Sequence, residues 1–249
     1  MIVFILCWLF IEKKVEMAGP KVDETGVYKP FFGYTTLSLV EDVENHLKSV
    51  EDFLSTSIIS RYYAPLPHFT YHMTLYNTYA MAIHEPIPAV RRWLDERGET
   101  GAMSDQFLPE NVLQSQHILA VGAIQHHIGN RNLTISDVTL KKGKDVIKVS
   151  LELEAEDHFL VQSLRESLAK IYEHPDQGLR YHITLAYLYK HLPRTGLELK
   201  AFEDDFVKLQ AMVETFKNYK LNKHNVFLFD SMINFMPYIR KPIQVNQII

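Results

Sequence analysis

The 249-residue chain has a single cysteine, Cys7, so no disulfide can form within it and a reducing compartment is its natural setting. It has no excess of positive charge: 26 Lys and Arg stand against 30 Asp and Glu, for a net charge of −4. No global field would therefore gather long nucleic acid, and duplex DNA is not an expected partner. A small phosphate ester or a short single strand suits the charge better. The chain also lacks the HExxH signature of metallohydrolases. His117, His126 and His127 fall near one another, but their spacing is not diagnostic of metal binding, so neither a metal nor a cofactor is expected.

Long apolar runs are missing as well. The most prominent, residues 2–11 (IVFILCWLFI), has ten residues where a spanning helix needs roughly 17–25. It has no basic segment before it and no small-residue cleavage site after it. Three readings stand for residues 1–25: an extension outside the fold, with Met17 as an alternative start; a membrane or signal element; or a packed strand or helix. In each, the domain proper begins near Gly26 and continues to residue 249. A membrane is not an expected partner, and the expected state is a cytoplasmic monomer. With 47% hydrophobic and 22% charged residues, 10 Gly and 11 Pro, the rest is an ordinary globular chain.

What is present is a duplicated pattern. Residues 31–40 read as a strand in which Tyr34, Thr36 and Ser38 form a wet face against Thr35, Leu37 and Leu39. Residues 41–58 read as a helix on Val43, Leu47, Val50 and Leu54, with Glu41, Asp42 and Glu44 in its first turn. Pro65 and Pro67 interrupt the chain, and a strand follows over 69–76. In the weaker stretch 80–132, Pro86 and Pro88 open a short helix through Arg97, and Pro109 opens another that runs to about His127. Strands over 132–140 and 145–154 precede an amphipathic helix over 156–172, a break at Pro175 and Gly178, and a strand over 180–189. A helix over 204–219, opening on Glu203-Asp204-Asp205, and a last strand over 225–232 complete the order. Strand, helix and break lead to Tyr71-His72-Met73-Thr74-Leu75 in the first half and to Tyr181-His182-Ile183-Thr184-Leu185 in the second. Two copies of so specific a motif in one chain are far beyond chance.

The two-residue period of a strand sets His72 and Thr74 on one face, with Tyr71, Met73 and Leu75 on the other; His182 and Thr184 repeat the arrangement. Imidazole titrates near neutrality and serves as base or acid, and a threonine hydroxyl can donate to a phosphate oxygen. In-line displacement at phosphorus needs one proton taken and one given on opposite sides, which two facing histidines supply without a metal. His68-Phe69-Thr70 reads similarly in phase with His72, but only the His72 frame reproduces the tyrosine and leucine of the second copy. Tyr34, Thr36 and Tyr76 either line the same cleft, a tyrosine stacking a base, or are ordinary strand residues. Lys148 and Arg180 either pair with phosphate or are solvated charges.

These two H-apolar-T-apolar strands in a duplicated chain resemble the 2H phosphoesterase superfamily, which includes the 2′-5′ RNA ligase and cyclic nucleotide phosphodiesterase group. The resemblance covers roughly residues 28–232. It implies an α+β bilobal fold: two pseudo-symmetric lobes, about 26–132 and 133–249, of mainly antiparallel sheet with outer helices and a central cleft. It further implies His72 and His182 as the acid/base pair and Thr74 and Thr184 as phosphate ligands. The implied activity is metal-independent cleavage of a phosphodiester in a nucleotide or short RNA, with a 2′,3′-cyclic phosphate, a 2′-5′ linkage or a cyclic (di)nucleotide as substrate. A non-catalytic nucleotide- or RNA-binding module and an ATP-independent 2′-5′ RNA ligase are the alternatives.

Overall fold

The computed structural model describes residues 21–42, 44–80, 87–98, 108–176, 178, 180–193 and 195–239. The apolar run over 2–11 and Val43 lie outside them. The described strands are β1 (Gly33–Val40), β2 (Tyr63–Pro65), β3 (His72–Ala80), β4 (Leu133–Lys142), β5 (Val146–Leu153), β6 (His182–Leu188), β7 (Lys220–Ser231) and β8 (Asn234–Pro237). The α-helices are α1 (His46–Thr56), α2 (Pro88–Asp95), α3 (Gln114–His127), α4 (Ala155–Ile171) and α5 (Leu197–Val213). The fold is thus mixed, with an antiparallel sheet and flanking helices.

The strands join in one eight-stranded sheet in the order β1-β3-β6-β5-β4-β7-β8, with β2 on the edge of β6. Because β7 also pairs with β1, the six strands β1, β3, β6, β5, β4 and β7 close into a barrel. Two of its seams are short. β3 meets β6 through the single pair Met73–Ile183, and β4 meets β7 through Leu133–Leu221 and Thr134–Lys220. Elsewhere the ladders run most of the strand length, as between β1 and β3 or β4 and β5. The last long strand therefore lies along the first, while its opening residues also meet β4.

Closure explains a first departure from the alternating pattern. A strand with neighbours on both edges, folded into a barrel, has little surface left for water. Thr36 and Ser38, expected on a wet face, are wholly buried, and Thr35 and Tyr34 are nearly so. Gly33, where β1 starts, is required by close approach: a Cβ there would stand 2.3 Å from both the Tyr79 carbonyl oxygen and the Phe229 ring.

The helices form where apolar spacing demands, with shifted ends. Leu47, Val50 and Leu54 are buried on α1 as their spacing requires, but Glu44 and Asn45 take left-handed backbone (φ 60° and 59°), so the helix starts at His46 rather than residue 41. Asp42 Oδ1 accepts the Leu47 amide at 3.0 Å and so serves the helix end from outside it. α5 begins at Leu197, directly after Gly196 with φ 91°, and carries its acidic run inside the helix. There Asp205 Oδ2 accepts the Ile58 amide at 3.2 Å, tying α5 to the segment after α1. α4 lies against β3 and β5, burying Val161, Leu164 and Leu168; Arg165 Nε donates to the Leu75 carbonyl at 2.7 Å and fixes β3 from that side. Among the described residues no helix is long and apolar enough to cross a membrane.

Candidate active site

β3 and β6 meet at Met73–Ile183, and antiparallel register then sets His72 across from Thr184 and His182 across from Thr74. Met73, Leu75, Ile183 and Leu185 on the reverse face are fully buried, which pins the orientation of both strands. His72, Thr74, His182 and Thr184 all line one cavity of about 380 Å³. The two histidines and two threonines singled out by the motif are thus brought together.

Both imidazoles are held in the same way. His72 Nδ1–H donates to the Thr70 carbonyl at 2.7 Å, and His182 Nδ1–H donates to the Arg180 carbonyl at 2.9 Å. A carbonyl only accepts, so each Nδ1 carries its proton, and each Nε2 is left as the nitrogen that takes or gives one. The partner is the main chain two residues upstream in both strands, a second copy of the motif at the level of geometry. Burial pulls His72 down to about 4 despite the Thr70 carbonyl, and the charges of His182 and Lys21 add to the shift. Burial lowers His182 as well, with Lys148 and Lys21 contributing and the Arg180 carbonyl opposing. A neutral imidazole pair in a half-enclosed cavity accepts protons readily only once an anion arrives.

The other expected residues divide. Lys148 is the cross-strand partner of Thr184 and near enough to depress His182, but it does not line the cavity. Tyr34 reaches the cavity wall, yet its ring lies 4.6 Å from that of His117 and its hydroxyl donates to the Leu108 carbonyl at 3.2 Å, so it offers no stacking surface. Thr36 does not line it. Tyr76 does not either: it stacks on Tyr172 and donates to the His174 carbonyl at 2.6 Å. An irregularity in the β1–β3 ladder between Thr36 and Leu37 accounts for Tyr76. β3 carries an extra residue there, which flips its parity, so Asn77 faces the cavity in place of Tyr76. His68 lies in a 3₁₀ turn rather than in β3, and both its amide and its Nδ1–H donate to Glu51, at 3.0 and 2.7 Å. Arg180 is exposed and serves the site through its main chain. His117 is buried against Tyr172, away from His126 and His127, and among the described residues no group of three or more His, Cys, Asp or Glu is arranged to hold a metal.

Sequence reasoning missed the aromatic wall and a cation. Phe31, Tyr187, Phe229 and Phe235 line the cavity with Lys21. The Phe235 ring lies 4.8 Å from that of His72, and Phe229 packs on both Phe31 and Phe235. Phe235 belongs to β8, beyond the last expected strand, and Lys21 to the stretch set aside as an extension. A second crevice of about 590 Å³ borders the site at Ser150, the cross-strand partner of His182, and includes Thr139, Lys141 and Arg180.

No protein-family model matches the chain. It is 39% identical over 223 residues to the uncharacterized protein 127L of Invertebrate iridescent virus 6, an alignment covering 87% of this chain and 93% of that protein. The crystal structure of ATU0111, a conserved protein of unknown function from Agrobacterium tumefaciens, superposes with a TM-score of 0.60 at 16% identity, covering 89% of this chain and 90% of that one. At that identity the likeness extends to the fold alone.

Proposed function

We propose that this chain, which belongs to the same family as protein 127L of Invertebrate iridescent virus 6, is a metal-independent phosphodiesterase of the 2H type that acts on a nucleotide or a short single-stranded RNA. The observation that carries the reading is the pair of imidazoles, each fixed by the carbonyl two residues before it, set across one strand pair with two threonines in one cavity. The part-exposed rings of Tyr187 and Phe235, backed by the buried Phe31 and Phe229, supply an apolar wall for a nucleobase beside them. The bilobal reading takes the barrel as two halves joined at its two short seams, β3-β1-β7 with β8 and β6-β5-β4 with β2. A pseudo-two-fold axis then runs through Met73–Ile183 and relates the two motifs.

In this mechanism one Nε2 takes the proton of the attacking oxygen, and the other, as Nε2–H, gives a proton to the leaving oxygen. The hydroxyls of Thr74 and Thr184 donate to the non-bridging oxygens, where charge builds. Both imidazoles are lowered by burial, so the pair shares one proton in the productive state, and the polarity of the bound substrate decides which histidine is base and which acid.

The test is hydrolysis, in EDTA, of 2′,3′-cyclic AMP, 2′-5′ and 3′-5′ ApA and a cyclic dinucleotide. Turnover of one or more is the expected result, and the product identifies the bond. Nucleotide binding without any turnover would favour a binding module instead.

The pH profile follows from the histidines. The productive state has one imidazole neutral and one protonated, and both lose their protons below the usual value of about 6.5. The profile of kcat/KM should therefore peak on the acid side of pH 6.5, falling toward pH 4 as both imidazoles are protonated and falling above neutrality as neither is. A bound phosphate anion favours both imidazolium forms, so the kcat profile should lie at higher pH. A kcat/KM still rising at pH 8 would contradict the assignment.

A further inference from the structure

We propose that Lys21, from the turn that precedes β1, is a third ligand of the substrate phosphate and supplies the positive charge that the two threonines lack. The inference rests on the phosphodiester reading of the same cavity and adds to it an anchor outside both motif strands. Lys21 opens the described chain and is held by a small, well-tied turn. Val22 and Tyr28 form an isolated antiparallel bridge, and the Lys29 amide donates to the Lys21 carbonyl at 3.0 Å. Asp23 Oδ1 accepts the amides of Thr25 and Val27 at 2.8 and 2.9 Å. Val22 is 1% exposed and the Tyr28 hydroxyl donates to the Ala64 carbonyl at 2.8 Å, so the turn is part of the packed fold.

From that turn the lysine stem runs into the cavity between two rings. Its Nζ lies 5.1 Å from the centre of Phe31 and 4.9 Å from that of Tyr187, and donates to the Tyr187 hydroxyl at 3.2 Å. Among the described residues no carboxylate forms an ion pair with it. Ring faces orient an ammonium but do not neutralise it, so its remaining donors favour an anion in the cavity. The same charge lowers both His72 and His182, which places it within electrostatic reach of each. A phosphate held between the imidazoles therefore lies within the field of Lys21. A phosphate monoester or diester is the ligand class, the charge of the phosphorus centre being what the lysine reads.

The experiment compares the full chain with Lys21→Met, which keeps the apolar stem, and Lys21→Arg, which keeps the charge. Two readouts are taken: kcat/KM on whichever diester the wild type cleaves, and the affinity for inorganic phosphate by calorimetry. In Lys21→Met both should fall by roughly 10- to 100-fold, and Lys21→Arg should retain most of each. The imidazole titrations, followed by NMR, should move upward in Lys21→Met: His72 then faces only His182, and His182 only Lys148, among the charges that depress them. Phosphate affinity equal to wild type in Lys21→Met would overturn the proposal, as would equal losses in both variants. If the wild type cleaves no diester but binds phosphate in a Lys21-dependent way, the catalytic reading fails and the anion site stands.

Discussion

His72→Ala and His182→Ala should each lower kcat/KM by about 10²–10⁴-fold in the presence of EDTA, while His68→Ala leaves it near wild type. The two losses have one origin, because displacement at phosphorus stalls whether the incoming oxygen keeps its proton or the outgoing oxygen lacks one. The double variant should accordingly be little worse than the poorer single one. His68 is the fitting control: it shares the phase of His72 in the sequence, yet its Nδ1–H is bound to Glu51 and it lines no part of the cavity. Each of the two imidazoles leans on a main-chain carbonyl, at Thr70 or Arg180, which no side-chain change removes. Removing an imidazole therefore leaves no orphaned side-chain partner behind, and melting temperatures of the variants should stay close to wild type. Full turnover in both histidine variants, or an activity that EDTA abolishes, would defeat the mechanism.

The pair was legible in the sequence because it depends only on local period. His72 and Thr74, like His182 and Thr184, sit two apart in strands whose intervening residues are large and apolar, so burial of Met73 and Ile183 settles which face looks into the cavity. The reasoning fails once it leaves that short span. Tyr76 continues the phase of Thr74, but an extra residue in β3 turns it to the other face and turns Asn77 in. Such a bulge is a property of the β1–β3 ladder, and nothing in β3 alone marks it. Thr36 and Ser38 are buried because β7 returns to pair with β1, a contact between residues nearly 200 positions apart. Lys21 and Phe235 reach the cavity from segments before and after the duplicated core, where neither period nor repeat directs attention. Local pattern thus located the paired histidines and threonines, while the walls around them are products of barrel closure.

Acid should destabilise this fold across the range in which its catalysis is expected to peak, and His117 should account for a large part of the loss. His117 is 0% exposed, bonded through Nδ1 to the Tyr172 hydroxyl at 2.9 Å and surrounded by the rings of Tyr34, Tyr172 and Tyr238. Burial holds it down to about 4, against about 6.5 in an unfolded chain. A histidine depressed by folding contributes its full stability above the unfolded value, where it is neutral in both states. As pH falls from about 6.5 toward 4 the unfolded chain binds a proton that the folded one refuses, and the contribution drains away. The span amounts to about 3 kcal/mol, a substantial part of the roughly 5–15 kcal/mol typical of a folded domain. His117→Phe keeps an aromatic ring among the tyrosines and removes the proton site. Urea unfolding at pH 7.5, 5.5 and 4 should show a steep loss for the wild type and a flatter one, by about 3 kcal/mol, for the variant. Parallel losses in the two proteins would mean that His117 takes up its proton without unfolding, and would move the acid sensitivity to His72, His182 and His224, each also lowered by burial. With the flatter curve in hand, initial rates of His117→Phe near pH 5 should match those of the wild type while its activity in long incubations outlasts it. One buried imidazole would then limit the fold in the pH range where the other two do chemistry.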